Sequence, residues 1–521
     1  MNADRLDRWL FDSFRPTARG LAAYRIAYAL FVLLLIDPGH SPYFNFHPLA
    51  ELPDSFFLPP PGPMQLFSGF PPRWFFAGLH LLLDLSLVAL LFGYRTRLAS
   101  WMTGLLFLIG FGFLFSAGKI NHVILFVLLP WVMSFSNWGA AWSLDARLGR
   151  ARPTVEGWPL ALLALLTGFA MFTAGFTKLL GGWLDPATQA TRGHWLKQYF
   201  VVGRQDLLAD LVTAPLPAGL WELMDWGTVL LEIGLLPAVF VPGLFRVLLS
   251  LMVLFHLGTA LLFNITFVQN LIVYAAFLNW DRVAARFPRI RLSPRPALLL
   301  IPLLGLAFYF FGSPLRRLDV LVTFSSDLSL TELLANIAAA LVVLGIALTR
   351  ARDLLRRPLP LTSAAAGAYR RARRALAMVL VLYATLVATH AGEFWPMSVF
   401  PMFSRAGHPW TRAIVRELEA TEPVRWDTLQ APAALPGRPF PLNQTALDPV
   451  DLINFVTRPE PWDARRRQTL QRLFGPELEG RRLLVLQVQG MPSGEGVQLR
   501  YLPILVLTTD SVQVHPALQQ P

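Results

Sequence analysis

Between residues 21 and 389 the chain alternates long apolar runs with short polar segments. A run that must satisfy all its backbone N–H and C=O groups inside hydrocarbon can do so only as a helix, so runs of this length predict membrane spans. Counting them gives about eleven, with cores at 21–36, 74–92, 98–115, 123–138, 158–177, 220–240, 245–263, 267–278, 297–311, 330–348 and 376–389. Beyond Thr389 prolines and charges rise and no spanning run remains. Segments 483–489 and 497–507 there alternate apolar and polar positions around a glycine-bounded turn, which predicts a strand pair. Segments 449–456 and 462–474 predict two short helices. The fold class is thus a polytopic α-helical membrane protein of about eleven transmembrane helices, closed by a small α+β extracytoplasmic C-terminal domain.

Composition adds orientation and removes several chemistries. Of the 521 residues, 54% are hydrophobic and 15% charged. The net charge of +12 falls mostly between apolar runs, where it sets topology instead of forming a nucleic-acid face. With Arg5, Arg8, Arg15 and Arg19 cytoplasmic, the same side receives Arg95, Arg97, Arg147, Arg150, Arg152, Arg246, the arginines at 282–295 and the basic cluster at 350–374, while Arg316 and Arg317 dissent. The first helix lacks a small-residue cleavage pattern and reads as a retained span. The prediction is a multi-pass inner or cell membrane protein with a cytoplasmic N-terminus and a periplasmic or extracellular C-terminal domain. The richness in Arg, Ala and Pro points to a GC-rich bacterium. With no cysteine, the chain has no disulfide, thiolate metal site or thiol nucleophile of its own. HExxH, phosphate-loop and nucleophile-elbow patterns are also missing, so no metal is expected. Two long external segments, 44–72 and 182–219, lie where lids over an outer-leaflet cavity belong.

Charged groups inside the apolar runs carry the candidate chemistry, because charge in hydrocarbon is costly and needs a reason. Lys178 ends the fifth run, in Met171-Phe-Thr-Ala-Gly-Phe-Thr-Lys-Leu-Leu-Gly-Gly-Trp183. It either snorkels to the interface beside Trp183 or is a desolvated amine kept usable as a base. Arg25 and Asp84 read as an ion pair between the first two helices. Glu232 sits in mid-helix with no local partner and either neutralises Arg25 or carries protons. His122, after Asn121, and His256 lie at a depth similar to that of Lys178. Each alone reads as a packing histidine, but three such groups at one depth on three helices point to a site.

These residues resemble a known family. Tyr24-Arg25-Ile26, Gly93-Tyr-Arg95, Asn121-His122, Trp142-Ser-Leu-Asp145, Ala174-Gly-Phe-Thr-Lys-Leu-Leu-Gly-Gly-Trp183 and Phe255-His256 with Asn264-Ile-Thr266 are similar, in order and spacing, to the membrane domain of vitamin K-dependent γ-glutamyl carboxylase and its bacterial relatives, the HTTM domain proteins. The likeness covers about residues 15–285, and the Ala-Gly-x-x-Lys-Leu-x-x-x-Trp element is its most specific part. It implies a carboxylase-like membrane domain over 1–285, and the pattern of runs beyond it gives additional transmembrane helices over 286–391 and the extracytoplasmic domain over 392–521. The carboxylase's large luminal domain has no counterpart in this chain.

The resemblance implies catalytic roles for Lys178, which deprotonates a reduced quinone resembling vitamin K hydroquinone, and for His122, which assists carboxylation. It implies cofactor binding at Asn121 and His256, with O2 and CO2 as co-substrates. The implied activity is quinol oxidation driving carboxylation of a glutamyl side chain on a secreted peptide or protein. The alternative is a non-enzymatic membrane maturation or immunity factor for a secreted peptide, in which Lys178 and His122 hold a lipid or peptide carboxylate. A transporter ranks last, because no pair of matching broken helices marks an inverted repeat.

Overall fold

A computed structural model describes residues 14, 16–41, 44–117, 120, 123–152, 154–186, 188–200, 208–214, 216–263, 265, 267–287, 293–315, 368–390, 392–399, 410–440, 442, 449–457, 461–493 and 496–518. Among these, seven helices are long and apolar enough to cross a membrane. They are α1 (Ala18–Phe31, prolonged by a wider turn to Ile36), α2 (Arg73–Phe92), α3 (Thr96–Ala117), α6 (Trp158–Leu180), α9 (Pro242–Phe263), α12 (Pro294–Phe311) and α13 (Ala368–Thr389). Three more expected spans are helical but fall short. α4 (Ile124–Ser134) and α10 (Val268–Ala275) are too short, and α8 (Ala218–Ala238) is long enough but carries Glu222, Asp225 and Glu232. The span expected at 330–348 lies outside the described residues. Between these run the short α5 (Leu144–Arg147), α7 (Ala190–Phe200) and α11 (Trp280–Ala285).

In the bundle α6 packs on α4 and α8, α8 on α9, and α2 on α1, α3 and α12. Gly168 and Gly175 set the α6–α8 approach. A Cβ on the first would stand 2.9 Å from the backbone of Leu236, and one on the second 2.8 Å from Cβ of Glu232. Small residues two turns apart thus let the two helices meet almost backbone to backbone.

The expected Arg25–Asp84 ion pair does not form. Arg25 is fully buried and its guanidinium donates to the carbonyls of Trp138 (3.1 Å) and Trp142 (2.6 Å), while Asp84 lies 3.0 Å from His80 Nε2, one turn back on its own helix. The reason is local. The 135–143 turns present two carbonyls beside α1, and these accept from a guanidinium whose donors are spread too widely for one carboxylate to meet them all. Gly93, at φ 64°, passes so close that a Cβ there would meet Arg25 at 2.6 Å. Asp145 completes this knot, accepting from the backbone N–H groups of Arg95 (2.9 Å) and Thr96 (2.7 Å) at the start of α3. Tyr24-Arg25, Gly93-Tyr-Arg95 and Trp142-Ser-Leu-Asp145 therefore belong to one structural tie, at the end of the bundle away from Lys178.

The C-terminal region forms a five-stranded antiparallel sheet in the order β4-β3-β5-β6-β7, from β3 (Trp410–Leu418), β4 (Arg438–Pro439), β5 (Arg482–Ser493), β6 (Gly496–Leu507) and β7 (Val512–Val514). Its central hairpin is the expected one, and the expected helices appear as α14 (Pro449–Val456) and α15 (Ala464–Phe474). The small ribbon of β1 (Glu393–Phe394) and β2 (Met397–Ser398) precedes the sheet. Trp395 between them is fully buried, and its indole N–H donates to the Leu108 carbonyl at 3.0 Å. Phe56 of the first long loop joins the core of this domain, 5.3 Å ring to ring from Phe455. That loop thus anchors the domain and is not a lid over the cavity described next.

Candidate functional site

The end of α6 places Lys178 inward. Helical spacing puts Met171, Ala174 and Lys178 on one buried face, and the chain then turns at Gly181 and Gly182 so that Trp183 folds back over the lysine, 5.5 Å from Nζ to ring centroid. The ammonium donates to both carboxylate oxygens of Glu232 on α8, at 2.9 and 2.7 Å, and the two side chains are only 3% and 7% exposed. Glu232 is therefore the partner of Lys178, neither of Arg25 nor unpaired. A lysine in the last turn of one helix and a glutamate within another show no relation in sequence. Only the glycine-mediated approach of α6 and α8 brings them together.

This pair forms part of the wall of an apolar cavity of about 450 Å³ between α6, α7, α8, α9 and α10. That volume suits a small organic ligand. Met171, Leu231, Phe255 and Phe267 supply much of its apolar lining. The polar exceptions besides the pair are few: His194, His256, Thr259 and Asn270 among them. His256 stacks on Phe267, with centroids 4.3 Å apart, and shares a hydrogen bond of 2.9 Å with the Tyr274 hydroxyl. The side-chain oxygen of Asn270 is buried without a hydrogen-bond partner among the described residues, although it is an acceptor on the cavity wall. A buried acceptor left unmatched costs about 1–3 kcal/mol, which a ligand hydroxyl would recover.

The 182–219 segment does supply a cover. α7 lies across this end of the bundle, fixed by Asp225 of α8, which accepts from the N–H groups of Ala190 and Thr191 at 2.7 Å each. His194 on α7 stacks against Trp183, 5.5 Å centroid to centroid, and contributes to the cavity wall. α7 also packs against β5, so the C-terminal domain sits at the lysine end of the bundle.

Of the four residues singled out in sequence, Lys178 and His256 share the cavity, whereas Asn121 and His122 lie outside the described residues. Sequence reading missed Asn270, His194 and Tyr274. None belongs to a recognisable motif, and a polar residue in a short apolar helix such as α10 gives no signal of what it faces. Among the described residues, no group of three or more His, Asp or Glu side chains converges to hold a metal ion.

Residues 62–280 match the family model of the HTTM domain, which occurs in the vitamin K-dependent carboxylase family. No curated protein and no solved structure matches the chain. The matched interval contains every residue that lines the cavity, and it ends before α12, α13 and the C-terminal sheet.

Proposed function

We propose that this chain is a carboxylase-like membrane enzyme that takes a reduced, lipid-soluble quinone into the α6–α10 cavity and deprotonates one of its hydroxyls at the Lys178–Glu232 pair. The observation that carries the reading is that pair, buried yet part of the wall of an apolar cavity within the HTTM-matched interval. A flat apolar ring with a hydroxyl at each end suits such a wall. One hydroxyl meets the pair and the other meets the unmatched oxygen of Asn270. His256 packs the ring, and His122 with Asn121 would complete the site in the roles the resemblance assigns. O2 and CO2 are the co-substrates, and a glutamyl side chain on a secreted peptide is the acceptor. In this reading the N-terminus is cytoplasmic and the lysine end, with the C-terminal domain, faces the periplasm or exterior, in keeping with the positive-inside distribution.

Mass spectrometry of lipid bound to the purified protein tests this directly. Quinone should co-purify with the natural sequence and be depleted in Lys178→Ala, which should also lose quinol oxidation in proteoliposomes. Unchanged turnover would remove the lysine from the chemistry. A second reading, a maturation or immunity factor for a secreted peptide, is favoured by the seat of the C-terminal domain against α7. Under that reading no quinone is retained and a peptide carboxylate binds at the pair.

A further inference from the structure

Deprotonation at a lysine–glutamate pair leaves open which of the two groups takes the proton. We propose that Glu232 accepts it, while Lys178 stays an ammonium and holds the oxygen that has lost it. The assignment rests on the quinol reading above and specifies its chemistry.

With Lys178 as the donor of the pair, the hydrogen-bonding inventory favours Glu232 as the acceptor. An ammonium has three donors and no acceptor, and a carboxylate has acceptors only. Lys178 commits two donors to Glu232, at 2.9 and 2.7 Å, which leaves one N–H for a ligand oxygen. A hydroxyl arriving at this wall can therefore give its hydrogen to the carboxylate and receive one from the ammonium. It finds no lone pair on Lys178. Among the described residues, neither histidine of the cavity hydrogen-bonds to the pair. His256 shares its Nε2 with the Tyr274 hydroxyl, and His194 lies flat on Trp183.

Charge balance points the same way. In the proposed step the quinol O–H bond breaks and an O–H bond forms on a Glu232 oxygen. The negative charge moves from carboxylate to quinol oxygen, and the ammonium changes anionic partner. No electron moves, and the site carries one positive and one negative charge before and after. A lysine base would have to begin as a neutral amine, either beside a bare carboxylate where both side chains are almost wholly buried or after the pair has first passed its own proton to Glu232 and given up both charges. The exchange of one ammonium-held anion for another avoids that state, and an ammonium fixed in advance is the kind of group that stabilises a developing oxyanion.

Proteoliposomes supplied with menaquinol or ubiquinol and air, with O2 consumption as the readout and quenching of tryptophan fluorescence as a separate measure of quinone binding, distinguish the assignments. Glu232→Gln should lose turnover by about 10²-fold or more while still binding quinone, and Glu232→Asp should regain about tenfold of that loss. Lys178→Arg should outperform Lys178→Met by about tenfold, because a guanidinium can hold an oxyanion but cannot serve as a base near neutral pH. Should Glu232→Gln fail to fold, the Arg-versus-Met comparison at position 178 decides alone. Turnover by Glu232→Gln equal to the natural protein, or Lys178→Arg as inactive as Lys178→Met, overturns the assignment and leaves the quinol reading standing. No turnover by the natural protein with either quinol overturns both.

Discussion

A Cβ built on Gly175 would stand 2.8 Å from Cβ of Glu232 and 3.0 Å from the backbone nitrogen of Ile233, so any side chain there pushes α8 away from α6. Gly175→Val is therefore expected to cost about 1–3 kcal/mol by overpacking, read as a lower Tm in detergent, and, on the quinol reading proposed above, to weaken quinone binding by separating Glu232 from Lys178. The ion pair itself contributes specificity more than stability. Breaking it one-sidedly with Lys178→Met leaves a buried carboxylate and should cost about 3–5 kcal/mol. Replacing both residues, as in Lys178→Met with Glu232→Leu, should restore thermal stability to about that of the natural protein or above it, with no recovery of turnover. If the double variant is no more stable than the single one, the pair is a structural lock and the cavity has lost its polar purpose.

At the scale of elements, the family-like motifs divide between two ends of the bundle. Asp145 bonds the first N–H groups of α3 from a turn some fifty residues further along the chain, so the Trp-Ser-x-Asp element is a helix cap. Asp145→Ala should lower stability by about 1–2 kcal/mol, and the quinone binding proposed for the far end should survive wherever the protein is folded. Asp225 does the same for α7 at the cavity end. Asp145 stood out in the sequence as part of a motif, and Asp225 did not. The use of either as a cap was not legible there, because the helices they cap are remote in sequence. The expected pairing of Arg25 with Asp84 failed for a related reason. Proximity along two adjacent helices said nothing of the Trp138 and Trp142 carbonyls that accept from the guanidinium.

For the whole molecule, the question is how the C-terminal domain is held against the membrane bundle. Phe56 is buried in the domain's own core, so Phe56→Ala should cost about 3–5 kcal/mol and expose the domain to limited proteolysis before the bundle is cut. Lys197 of α7 is buried beside Arg412 of β3. Burial first, and the like charge of Arg412 second, pull its ammonium down from 10.5 to about 7. Because the folded value lies below the unfolded one, the unfolded chain holds a proton that the folded chain lacks between about pH 7 and pH 10. Stability rises with pH through that window, and the full penalty applies below it. Lys197→Met should therefore raise Tm at pH 6 and lose that advantage as the pH approaches 10.

Hydrophobic run length was enough to predict a bundle of apolar helices, because a bilayer leaves an apolar run few other conformations, and alternating positions beyond Thr389 were enough to predict the strands of the tail. The apolar runs also marked Lys178 as a residue in need of a partner. Which partner, which cavity and which cap were settled in three dimensions. Helix contacts depend on where small residues permit close approach, and the glycines at 168 and 175 give no hint in sequence of the carboxylate that lies across from them.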